Sequence, residues 1–315
     1  MTFCSGKPIP SELPGIEWRI LDRDDIEAIV KLIEACREVD GGLPIAFDID
    51  IVRERYMQSN LGASIGAFEP SGQLVACAAA RRIDSPEASR VSAMGHVHPS
   101  YRERGLGTFL IDWTVEKGTN LVSGMPLDHM RILEVAVESL NEWGERLLAR
   151  HGLVRRFAED VMRIDVAGPS ARAPLPAGVS LLAWSPQLAD RFFEAYQAAF
   201  RDRPGFPGWS KEKWTDWATG DFRPEASYVV CCGDLAVGFI VCADEFIVQV
   251  GVRPEWRGRG IASALVVAAL SSLRAAGTRH AFLDVNVNNP GALRLYERLG
   301  FEKIGRRARF VRILP

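Results

Sequence analysis

Val252-Arg253-Pro254-Glu255-Trp256-Arg257-Gly258-Arg259-Gly260-Ile261-Ala262 decides how this chain is read, because it occurs twice. Val97-His98-Pro99-Ser100-Tyr101-Arg102-Glu103-Arg104-Gly105-Leu106-Gly107 aligns with it without a gap, at a constant offset of 155 positions. A second pair follows: Asn141-Glu142-Trp143 through His151-Gly152-Leu153 aligns with Asn289-Pro290-Gly291 through Leu299-Gly300-Phe301. Repetition of two motifs in the same order points to one structural unit written twice.

The flanks repeat as well. Residues 16–20 and 179–184 read as short strands, each followed by an amphipathic helical stretch, about 24–38 and 186–201. Apolar runs at 228–232 and 235–242, separated by Gly233-Asp234, read as a hairpin. A strand at 246–252 leads through the glycine-rich loop into a helix over 260–276, and a strand at 281–287 leads into a helix capped by Asn289 with Pro290 in its first turn. The Pro- and Gly-rich stretch 167–178 is the natural linker. The expected fold class is α/β (α+β), with an N-terminal domain at 1–166 and a C-terminal one at 179–315.

Hydrophobic residues at 47% and charged residues at 25% match ordinary globular proteins. No run approaches the roughly 20 apolar residues that span a bilayer, and the first residues lack an apolar stretch behind a basic flank. No membrane partner and a cytoplasmic location are expected. A net charge of −2 gives no general attraction to nucleic acid, and Arg306-Arg307-Ala308-Arg309 reads as a solvated strand face rather than a local basic patch. Cys4, Cys36, Cys77, Cys231, Cys232 and Cys242 show no paired spacing of a metal or dithiol site, and thiols in apolar runs behave as small hydrophobes. His96 and His98 could share a strand face, but no third ligand accompanies them, so no metal is expected.

The loop itself carries chemistry. A strand ending at Val252 and a helix starting near Gly260 place the amides of Arg257 to Ala262 at a helix N-terminus, where unpaired N–H groups and the helix dipole favour anions. Gly258 and Gly260 carry no side chain to block a phosphate, and Arg257 and Arg259 can add charge. A dinucleotide-binding fingerprint fits poorly, because Arg253-Pro254-Glu255-Trp256 intervenes between strand and helix and Ser263 replaces the third glycine.

Val-x-Pro followed by Arg-x-x-Gly-x-Ala, over Val252 to Ala262, resembles the acetyl-coenzyme A motif of the Gcn5-related N-acetyltransferases, the GNAT family. Asn289, Ala292, Leu295-Tyr296 and Gly300-Phe301 resemble the family's second motif at its spacing. The resemblance implies two tandem units, each a mixed, mostly antiparallel sheet flanked by helices, with splayed central strands. Pantetheine would lie in the gap against the backbone of Val250 and Val252, near Asn289, and the phosphates would lie on Arg257, Gly258, Arg259, Gly260, Ile261, Ala262 and Ser263. Acetyl-coenzyme A would be the cosubstrate, and the acceptor a primary amine on a small molecule. A protein or peptide N-terminus and a non-catalytic acyl-coenzyme A sensor are the alternatives. The chain is expected to be a monomer or homodimer.

An amine attacking a thioester needs an amide donor for the oxyanion and a proton source for the departing thiolate. Tyr296 suits the second role, since a phenol of pKa about 10 stays protonated at neutral pH. Relatives often use a carboxylate near the strand before the loop as base, and Glu245 and Asp244 are the nearest. Counting back six from Val252 to the family's usual glutamate position lands on Phe246, so Glu245 is out of register without a bulge. Asp284 is a more remote candidate. Val97, Arg102, Arg104, Gly105 and Gly107 keep the loop in the N-terminal half, which leaves coenzyme A binding there open. Leu148 stands where Tyr296 does, and leucine cannot donate a proton, so that half is expected to be non-catalytic.

The acceptor pocket is expected from the stretch 201–209 and the helix after it, where Phe206, Trp209, Trp214 and Trp217 either line a pocket or fill the core, with Asp202 and Asp216 available to a cationic amine. The tandem layout with an intact C-terminal half also resembles that of the mycothiol synthases, which acetylate the amine of a cysteinyl pseudo-disaccharide, although the glutamate register departs from theirs.

Overall fold

The periodic stretches become, in chain order, β1 (Glu17–Ile20), α1 (Ile26–Asp40), α2 (Ile49–Tyr56), β2 (Gly62–Phe68), β3 (Leu74–Asp84), β4 (Ala88–Val97), α3 (Leu106–Val122), β5 (Met130–Val137), α4 (Glu142–Arg150) and β6 (Val154–Asp165). The same order then recurs as β7 (Ser180–Ala183), α5 (Ala189–Phe200), α6 (Lys211–Ala218), β8 (Tyr228–Cys232), β9 (Leu235–Ala243), β10 (Phe246–Val252), α7 (Ile261–Ala275), β11 (His280–Asn286), α8 (Pro290–Leu299) and β12 (Glu302–Ile313). The computed structural model describes residues 15–44, 48–57, 62–84, 88–124, 130–168, 173–202, 208–218 and 222–315. Cys4, Phe206 and the side chain of Trp217 lie outside the described residues. No helix among the described residues is long and apolar enough to cross a membrane.

The chain forms two compact units, Met1–Val161 with Ile304–Pro315, and Met162–Lys303. In unit 1, β1 to β4 form an antiparallel meander, and β5 runs parallel to β4 only as far as the pair Ala93 and Val135. Beyond that pair β4 continues to Val97 without β5, which opens the sheet. α1 and α2 cover one face through Ile29, Leu32, Val52 and Tyr56, while Leu106, Phe109 and Leu110 of α3 cover the other.

Unit 2 repeats this arrangement. β7 to β10 are antiparallel, and β11 meets β10 in parallel at the pair Phe246 and Phe282, beyond which β10 continues paired with β9 but not with β11. A register shift between Ile247 and Gln249 marks a bulge in β10. It leaves Ile247, Val250 and Val252 against the core of α7, and Val248 against that of α5, with Gln249 bonded to Trp214 of α6. Gly251 also faces α5: a Cβ there would lie 2.8 Å from Ala199 Cβ and from Phe239 Cε1. Only glycine lets α5 approach β10 this closely.

The expected division at 167–178 is displaced. Residues 304–313 of β12 belong to unit 1, where β12 pairs antiparallel with β5 from Ala308 opposite Val137 to Ile313 opposite Ile132. The break falls inside β6, whose last residues belong to unit 2, where the chain just past the strand is tied to the residue before β11 by the Val166 amide donating to Arg279 O at 3.0 Å. Two closing strands of similar pattern leave the sequence with no local signal for which sheet each completes. The arginine run of β12 is also not a solvated face. Arg306 pairs with Asp160 at 2.6 Å, Arg307 with Glu159 at 2.7 Å and Arg309 with Glu138 at 2.9 Å, and all three carboxylates are buried. Its charge is cancelled within unit 1.

Candidate active site

The loop between β10 and α7 is built from backbone conformations that few residues tolerate. Pro254–Trp256 forms a single 3-10 turn, then Gly258 takes φ of 76° and Gly260 takes φ of 81°, both left-handed. Gly260 is also the N-cap of α7 and offers no side-chain acceptor to the first helical amides. Those amides therefore remain directed at whatever sits before the helix.

Arg257 is a staple. Its Nε donates to Val252 O at 3.1 Å and its Nη2 to Ala199 O at 3.0 Å, which ties the loop to the end of β10 and to α5. Both acceptors are neutral, so the positive charge stays beside the cradle. Arg259 lies over the Trp256 ring at 4.6 Å and donates to Glu255 O at 3.1 Å.

In front of this loop, where β10 has parted from β11, lies a cleft of about 670 Å³. Val250, Val252, Arg257, Gly258, Gly260, Ile261, Ala262, Ser263, Asn289 and Tyr296 all line it. Arg259 is the one cofactor candidate of this half outside that lining. The far wall, Gly291, Leu295 and Arg298, was not among the sequence candidates for the site, although their three- and four-residue spacing places them on one face of α8. Asn289 Oδ1 accepts from the Ala292 amide at 3.1 Å, so capping α8 is one of its jobs.

Tyr296 is buried in the second turn of α8 with its ring edge-to-face on Phe301 at 5.8 Å. Burial raises its phenol above the ordinary range, so it is neutral throughout the physiological range. Glu245 is not brought to it. It sits exposed in the turn between β9 and β10, with its backbone oxygen accepting from the Phe282 amide at 2.9 Å, and does not line the cleft. Asp244 shares that exposed turn with φ of 44°. Asp284 stands on β11, where Ala281, Leu283 and Val285 pack against the α7 core, so alternation turns its carboxylate to the α5 side; like Glu245, it does not line the cleft.

Of the two readings of the aromatics, pocket wall or core, the second holds for Trp214. Trp214 is fully buried among Phe192, Tyr196 and Phe239, with Nε1 donating to Gln249 Oε1 at 3.3 Å, so it is core. Asp202 is exposed and lines the cleft, whereas Asp216 is exposed on α6.

The chain's likenesses agree with this geometry. Residues 189–301 match the model of the Acetyltransferase (GNAT) family. The mycothiol acetyltransferase of Thermobispora bispora is 31% identical over 296 residues, covering 89% of this chain and 93% of that protein. The chain belongs to the GNAT family. A GCN5-related N-acetyltransferase from Sphaerobacter thermophilus superposes with a TM-score of 0.76 at 27% identity, covering 96% of this chain and 97% of that one. A tandem GNAT protein from the clavulanic acid biosynthesis pathway shares the fold, with a TM-score of 0.62 at 18% identity, covering 95% of this chain and 98% of that one. As a GNAT enzyme, the protein is an acetyltransferase that uses acetyl-coenzyme A.

The first GNAT unit keeps the loop but not the space before it. Glu103, φ 61°, and Gly105, φ 84°, reproduce the left-handed pair of Gly258 and Gly260. Arg102 Nε reaches Val97 O at 3.4 Å, as Arg257 reaches Val252, but its guanidinium is forked onto Asp40. Arg104 lies over the Tyr101 ring at 5.1 Å, as Arg259 lies over Trp256. The cavity between the parted strands is about 120 Å³. Val97, Arg102 and Gly107 border it, while Arg104 and Gly105 do not. His96, half-buried, with its pKa lowered to about 4 chiefly by desolvation, borders the same cavity, while His98 Nδ1 accepts from the Ser100 amide at 3.3 Å.

Proposed function

We propose that unit 2 transfers the acetyl group of acetyl-coenzyme A to a primary amine of a small molecule, and that Tyr296 protonates the departing thiolate. The observation that carries this reading is the position of Tyr296, a buried neutral phenol on the wall of the cleft that begins at the uncapped N-terminus of α7. Pyrophosphate would rest on the amides after Gly260, the pantetheine arm would follow β10 past its last pair with β11, and the thioester would then reach Tyr296. The amine attacks the thioester carbonyl, backbone N–H groups of β10 hold the oxyanion, and collapse expels the thiolate, which takes the phenol proton.

The attacking ammonium must first lose a proton. Asp284 faces the α5 side next to the bulge of β10, and we take it, rather than the exposed Glu245, as the carboxylate that accepts that proton. The full-length likeness to mycothiol acetyltransferases supports a small acceptor, and the amine of a cysteinyl pseudo-disaccharide heads the list to be tried.

Thiol release from acetyl-coenzyme A, followed over a panel of amines that includes peptide N-termini, tests the reading. With the accepted amine, Tyr296→Phe is expected to lower kcat by about 10²-fold with little change in KM for the cofactor. Asp284→Asn is expected to lower it at least tenfold and Glu245→Gln to leave it within a factor of two. Equal turnover by wild type and Tyr296→Phe would remove the acid role.

A further inference from the structure

We infer that the N-terminal unit is closed to coenzyme A by its own side chains, with Trp143 standing in the cleft where the cofactor would lie. The chain therefore takes up one equivalent, in unit 2. This rests on the reading that the unit 2 cleft binds acetyl-coenzyme A.

Two differences at aligned positions lead to it. The first is steric. Trp143 occupies the position of Gly291, and its ring lies so close to the first turn of α3 that a Cβ on Gly107 would be 2.6 Å from Trp143 Cη2 and 2.7 Å from Leu147 Cδ2. Gly107 is buried as a result, whereas its counterpart Ala262 is half exposed to the open cleft. A Cβ on Gly291 would meet only Asn289 Oδ1 at 3.7 Å, so open space lies in front of it. The volumes follow: about 120 Å³ in unit 1 and about 670 Å³ in unit 2.

The second difference is electrostatic. Glu103 holds the place of Gly258 and sets a carboxylate on the loop that would cradle phosphate. Arg102 is neutralised by a two-pronged pair with Asp40, whereas Arg257 spends its hydrogen bonds on two carbonyls. Arg104 is then left against Glu103, and the loop has no net positive charge to offer a pyrophosphate. The conformation itself is shared: Glu103 keeps the left-handed φ of Gly258, so the loop shape is retained while its anion site is spoiled.

Calorimetric titration of the full chain with coenzyme A tests this, with folding of each variant checked by its melting curve. Wild type is expected to bind one equivalent, and Gly291→Trp, which grafts the plug onto unit 2, is expected to bind none. The double variant Trp143→Gly, Glu103→Gly is expected to gain a second, weaker equivalent with its acetyl-transfer rate unchanged. Two equivalents in wild type, a full equivalent in Gly291→Trp, or no gain in a folded double variant would each overturn the inference while leaving the assignment of unit 2 intact. No uptake by wild type would instead sink the acetyl-coenzyme A reading of unit 2, and this inference with it.

Discussion

At the scale of single residues, Tyr296 shows how one position joins chemistry to stability. Its phenol is raised by burial, so the folded state holds the proton to higher pH than the unfolded state, whose phenol titrates near 10. The stabilisation linked to this group is complete below about pH 10 and is lost as pH rises beyond it. Chemical denaturation between pH 8 and 11 should therefore show a midpoint falling above pH 10 in wild type, with a shallower fall in Tyr296→Phe. A wild-type midpoint flat to pH 11 would mean that the phenol is not desolvated. The two glycines of the loop were legible for a related reason: a left-handed φ leaves its mark on residue type. Glu103 was harder to read, because a carboxylate holding the same φ announces neither the strain nor the lost anion site. Trp143 was visible all along opposite Gly291, but its meaning needed the distance to Gly107.

Among elements, the contact of α5 with β10 governs both the cleft wall and its depth. Gly251→Ala would drive a methyl into Ala199 and Phe239 at 2.8 Å, and α5 carries Phe200 and the chain toward Asp202 on the rim. We expect a loss of about 1 to 3 kcal/mol in denaturant unfolding, as for other overpacked cores. KM for the acceptor should rise while KM for acetyl-coenzyme A changes less. The order of elements could be read from periodicity and turn residues, since those signals lie within each segment. The bulge of β10 could not, and it is the bulge that turns both Val248 and Gln249 to the α5 side. The fate of the tryptophans was equally hidden, for Trp214 at helical spacing fits a pocket wall as well as the core it fills.

For the whole molecule, the sequence revealed a duplication but not where each copy ends. Pairing of β12 with β5 is a contact between residues far apart in the chain, and no local pattern distinguishes it from closure within the second copy. Removal of residues 304–315 should thus damage the first unit, although the deletion is made at the end of the second. A chain ending at Lys303 is expected to lose protection of β5 amides from hydrogen exchange, and a fragment of residues 179–315 is expected to aggregate instead of folding as an independent enzyme. A soluble, active 179–315 fragment would show that the strand assignment does not matter for folding.

That last strand also sets a timetable. A ribosome delivers the first unit almost entire long before it delivers β12, so the edge of β5 meant for Ala308 to Ile313 stays open for the time needed to make the second unit. Nascent chains would then depend on being shielded during that interval. The half of the protein with Leu148 in place of Tyr296 is thus also the half that must wait longest for its final piece.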